Sequence, residues 1–89
     1  MIDAHKAIKV AYNGALNWVT PNVLEIGNVG DNIAYEISYG ECMGSTIYGV
    51  SVVSYTVEHG YNRELDLSKV CFSRDEAVEY ITELQAANE

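Results

Sequence analysis

The side chains able to do chemistry are few and scattered: Cys42, Cys71, His5, His59 and a set of carboxylates. A thiol–imidazole nucleophile needs Cys and His within hydrogen-bond reach, with a third group to orient the ring. Cys42 falls in a turn read at 40–45 and His59 in a turn read at 59–62, with a long strand between them. At about 3.3 Å per residue such a strand holds the two far beyond contact. The two cysteines form no CxxC pair, and no HxxxH or EF-hand spacing occurs, so neither metal nor cofactor is expected. Gly27 with Gly30, and Gly40 with Gly44, match neither a P-loop nor a dinucleotide fingerprint and read as turn glycines. Carboxylates working as acid and base would need a pocket, which a small sheet under short helices rarely encloses. The chain reads as a non-enzyme.

The carboxylates make more sense as surface. Asp75, Glu76, Glu79 and Glu83 fall within about 100° of one another on a helix. Part of this is the ordinary wet face of an amphipathic helix, with Asp75 and Glu76 favoured at its positive N-terminal end. Against that, Asp75, Glu79 and Glu83 repeat at i, i+4, where like charges repel by a few tenths of a kcal/mol per pair. Arg74 is the helix's only cation. Such a stripe suits a surface that meets Arg or Lys. The chain also has seven tyrosines, more than one small core can bury with every hydroxyl satisfied. Tyr35 and Tyr39 share a strand face, with Glu36 and Glu41 beside them in sequence, and Tyr48, Tyr55 and Tyr61 lie on neighbouring segments. Tyrosine as anchor and carboxylate as steering charge is the make-up of a binding face. The expected partner-binding residues are Asp75, Glu76, Glu79, Glu83, Tyr35, Tyr39, Glu36 and Glu41.

The elements that must position them follow from hydrophobic period. Ala4, Ala7, Ile8, Ala11, Ala15, Trp18 and Val19 fall within an arc of roughly 120°, which predicts a helix from Asp3 to Val19. Asp3 caps it and Pro21 ends it. Asn13-Gly14 leaves two alternatives, a hairpin turn or an earlier helix stop. Val23 to Ile26 reads as a short edge strand and 27–32 as a loop. Ile33, Tyr35, Ile37 and Tyr39 alternate with Ala34, Glu36 and Ser38 as a half-buried strand. Ile47 to Val57 is a long strand whose alternation slips near Val52-Val53, implying a bulge or two covered faces. Glu64 to Phe72 returns as a further strand. Ser73 and Glu76 form a capping box before a final helix with Ala77, Val78, Ile81 and Leu84 on its apolar face. The fold class is α+β: helix, an antiparallel meander of three to four strands, helix.

The chain's 89 residues allow one domain and one core. No leader pattern or apolar run of membrane length is present, so a cytoplasmic protein with reduced cysteines is expected. The net charge is −8, and residues 31–62 contain no Lys or Arg. Direct nucleic-acid binding needs clustered cations and is disfavoured, whereas a basic partner protein, including a nucleic-acid-binding one, is favoured. In size, acidity, helix–strands–helix order and lack of catalytic spacing the chain resembles the small acidic inhibitors that phages and mobile elements direct at host defences. Anti-CRISPR proteins and DNA mimics are examples. The resemblance implies a non-catalytic inhibitor or adaptor, and no motif carries over a functional residue. The alternatives are a self-assembling module, most simply a homodimer, and a small enzyme or ligand sensor using Cys42, His59 or the acidic residues.

Overall fold

The alternation from Ile33 onward builds the strand on which the rest is organised. A computed structural model describes residues 1–11 and 20–88. The order is α1 (Ala4–Ala11), β1 (Asn22–Gly30), β2 (Ile33–Cys42), β3 (Ser45–Thr56), β4 (Gly60–Arg63), a 3-10 turn (Leu65–Leu67), β5 (Lys69–Cys71) and α2 (Arg74–Ala87). The strands form one antiparallel five-stranded sheet in the order β1-β2-β3, with β4 and β5 along successive stretches of the outer edge of β3. This is the expected α+β class, with five strands. Among the described residues no helix is long and apolar enough to cross a membrane.

The two helices cover opposite faces of the sheet. On one side Ala4, Ala7 and Ile8 of α1 pack on Ala34 of β2 and Val53 of β3. Alanines let the helix approach closely, and Asp3 Oδ1 caps it by accepting from the His5 and Lys6 amides. On the other side Ala77 and Ile81 of α2 pack on Val29, Tyr35, Ile37, Val50, Val52 and Cys71. The Ser73 hydroxyl accepts from the Glu76 amide at 3.1 Å, while the Glu76 carboxylate reaches back to the Phe72 amide at 3.3 Å. The capping box therefore forms, with its return arm one residue upstream of the usual place. At its far end α2 is tied to β1 by Gln85 Nε2, which donates to the Asn28 carbonyl at 3.1 Å.

Having a helix on both faces resolves the slip at Val52-Val53. The β2–β3 register runs without a bulge from Ile33↔Ser54 to Cys42↔Ser45, and both valines are fully buried, one under each helix. Other expectations are corrected. The stretch 27–32 is mostly not a loop, because β1 continues to Gly30 and only Asp31 and Asn32 turn. Two register shifts, at Val23/Glu25 and Asn28/Gly30, interrupt its pairing with β2 locally. The turn read at 40–45 tightens to Met43-Gly44, whose φ angles of 51° and 82° are those of a two-residue hairpin. The turn read at 59–62 lies at 57–59, and Gly60–Arg63 forms β4 instead. The return strand from Glu64 shortens to β5 after the 3-10 turn and pairs with the long strand β3, as the expected hairpin would. Val78 sits at the rim of α2 and is exposed. The expected helix beyond Ala11, with Asn13-Gly14, lies outside the described residues.

Candidate partner-binding face

α2 reaches its place because β5 ends at a fully buried Cys71 and Ser73 starts a helix almost at once. Its inner stripe is fixed by Ala77 and Ile81, which turns Asp75, Glu79 and Glu83 to solvent. None of these three makes an ion pair among the described residues. Glu76 is half-buried and meets Lys69 Nζ at 3.8 Å. Lys69 also lies 5.1 Å from the centre of the Tyr80 ring, whose hydroxyl donates to the Leu67 carbonyl at 2.6 Å. The ring is thereby fixed between α2 and the sheet edge. Lys69, Glu76, Glu79, Tyr80 and Glu83 line a shallow groove of about 160 Å³.

The tyrosines divide. Tyr39 is exposed on the α2 side of the sheet and lies opposite Tyr48, their ring centroids 6.4 Å apart. Glu41 is exposed two residues further on. Tyr35 and Glu36, expected at the surface, are only 7% and 4% exposed, and burial takes both out of any contact face. Tyr35 is core: its ring crosses to β1, and its hydroxyl donates to Glu25 Oε2 at 2.6 Å. Burial, then that hydrogen bond and the Glu25 charge, push its phenol up to about 12. Glu36 points to the α1 side, with Ser51 and Ile26 as its cross-strand neighbours. Alternation alone made Tyr35 and Tyr39 equivalent. What separates them is that α2 covers one and stops short of the other.

The α2 side carries Asp75, Glu76, Glu79 and Glu83 together with Arg74 and Lys69, whereas Lys6 and Lys9 are exposed on α1, which Asp3 caps. The groove's Lys69 and Tyr80 were not singled out from sequence. The available signal was their company: a lone lysine two residues before the buried Cys71, and a tyrosine at i+4 from the capping glutamate.

Cys42 and Cys71 are free thiols, the first exposed and the second buried. Burial, and secondarily the Glu76 charge, raise the Cys71 thiol, against which Lys69 acts. Cys42 and His59 lie beyond opposite ends of the twelve-residue β3, which at about 3.3 Å per residue is far outside proton-transfer distance. No group of three or more His, Cys, Asp or Glu among the described residues is placed to hold a metal. Comparison of the chain with protein-family models, curated proteins and solved structures finds no match.

Proposed function

We propose that this chain is a non-catalytic binding protein that lays its acidic α2 face, with Tyr39 and Tyr48 on the same side of the sheet, on a basic surface of a partner protein. One observation carries the reading: Asp75, Glu79 and Glu83 share one exposed helix face and make no ion pair among the described residues, while Lys6 and Lys9 sit on the opposite side of the sheet. Unpaired carboxylates on a fixed helix keep their field for an incoming cation, and tyrosines supply contact area at small entropic cost. A basic surface of this kind is what nucleic-acid-binding proteins present to phosphates, so occupying it would exclude the nucleic acid. That is the mode of the phage-borne inhibitors, anti-CRISPR proteins among them, to which the sequence bears resemblance.

Affinity capture from lysate with the parent chain and with the Glu79→Lys/Glu83→Lys variant tests this reading. The expected outcome is a basic, nucleic-acid-binding partner held at low salt, released at high salt, and lost on the charge reversal with the circular dichroism spectrum unchanged. Retention of the same partner by the reversed variant would refute the assignment of the face.

A homodimer through sheet edges is the weaker reading. The β1 edge is interrupted by its two register shifts, and the carboxylates of α2 beside β5 would repel their copies.

A further inference from the structure

β5 has a strand on one side only. Lys69, Val70 and Cys71 pair with Val50, Gly49 and Tyr48 of β3, and among the described residues no strand lies along the other edge. A free edge offers backbone N–H and C=O groups to any extended chain, and proteins usually blunt it. β1 is blunted by its irregular register, whereas β5 is regular and merely short, at three residues.

The two sides of this edge differ. On the α1 side Val70 is 61% exposed, and Phe72, next in the alternation, is 75% exposed. On the α2 side stand Lys69 and the groove of Glu76, Glu79, Tyr80 and Glu83. A strand added here sends successive side chains to opposite faces. One set would meet Val70 and Phe72, and the other would lie beneath the carboxylates. A second copy of the chain suits this place badly, since pairing β5 with β5 sets two acidic grooves side by side.

We infer that, granting the acidic face as the contact surface, β5 takes up an extended partner segment in which basic and apolar residues alternate, joining the five-stranded sheet as one more strand. Backbone pairing gives the segment its direction. Val70 and Phe72 take its apolar side chains, and Glu79 and Glu83 take its lysines or arginines.

The probe is a labelled peptide alternating lysine and valine, set against a peptide of equal composition with its lysines in one block. Binding to the full chain is followed by fluorescence anisotropy. The alternating peptide is expected to bind about tenfold more tightly than the block peptide, the scale set by apolar contacts and strand pairing beyond bare charge. Methylating the amides on one edge of the alternating peptide should abolish that advantage. Glu79→Lys/Glu83→Lys should weaken both peptides, and Val70→Thr only the alternating one. Equal binding of the two peptides, both lost on charge reversal, would overturn strand addition and leave the acidic face standing. Binding of neither peptide would overturn strand addition, while capture of a partner from lysate still decides the face itself. Equal binding that survives the reversal would overturn both.

Discussion

Gly27→Ala should destabilise the chain by an amount that depends on Tyr35. Gly27 lies directly opposite Tyr35, and a Cβ built on it would stand 2.8 Å from both Cε1 and the hydroxyl oxygen of that ring and 2.9 Å from Cζ. Ordinary carbon contacts begin near about 3.5 Å, so the ring would have to retreat by roughly 0.7 Å. It has little room to do so, being buried in the core and held by its hydroxyl on Glu25. Overpacking of this kind costs about 1–3 kcal/mol, and the loss of glycine's unfolded-state freedom returns about 0.4–1. The net is centred on about 1.3 kcal/mol, or roughly 5–10 °C in Tm for a domain of this size. Thermal and urea unfolding followed by circular dichroism measure it. The same substitution made in a Tyr35→Leu background should cost clearly less, because the clashing atoms are gone. A Gly27→Ala variant as stable as the parent, or an equal cost in both backgrounds, would refute the picture of the ring lying over the glycine.

The Tyr35 phenol, at about 12 in the folded chain against 10.0 for the free group, gives a second test. A group whose pKa is raised by folding contributes no penalty while both states are protonated. Above pH 10 the unfolded chain ionises first, so stability falls as pH rises toward 12. Tyr35→Phe should flatten the fall in urea midpoint between pH 9 and pH 11.5, and an unchanged slope would sink the attribution. The thiols give a third. With Cys42 exposed and Cys71 buried, native protein should react with a thiol reagent rapidly at one site and in urea at both. Rapid native modification of Cys71, located by peptide mapping, would show that β5 opens readily.

How much was legible depended on whether the signal was local. The α2 start was readable because a serine and a glutamate three residues apart satisfy helix-end amides wherever they stand. The β2 alternation was readable for the same reason: one residue after another faces the core. The extent of β1 was not, because Gly27 and Gly30 advertise a loop. What keeps the chain extended there is Tyr35, eight residues on from Gly27, reaching across to cover the gap. The split of the last hairpin into β4 and β5 was likewise hidden. It depends on contacts with β3, where Glu64 N donates to the Val52 carbonyl and the Ser68 hydroxyl accepts from the Val52 amide. Ser54 also donates to the Glu64 carboxylate. Of the expected contact residues, Asp75, Glu79 and Glu83 stayed outside because an amphipathic pattern declares both faces, while Glu76 is half-buried by its capping role and its pairing with Lys69. Tyr35 and Glu36 went inside because a strand in a two-sided sheet has no outer face to declare.

The acids of α2 admit two physical purposes, and they need not exclude each other. Standing beside the edge of β5, along which no described strand lies, they would repel a second copy pairing there, which is how edge strands are commonly kept apart. Asp75, Glu79 and Glu83, which make no ion pair among the described residues, also attract cations. The first purpose alone asks only for a few like charges near the edge. It gives no reason for the tyrosine pair on the same side of the sheet, whereas Asp75 is already favoured by the helix N-terminus at which it stands. Neutralising the pair, Glu79→Gln/Glu83→Gln, separates the two on one sample, since lysines there would repel their copies as the carboxylates do. If the carboxylates only guard the edge, the variant gains mass on sizing and loses no partner. If they are the contact face, the partner is lost whether or not the chain begins to pair with itself.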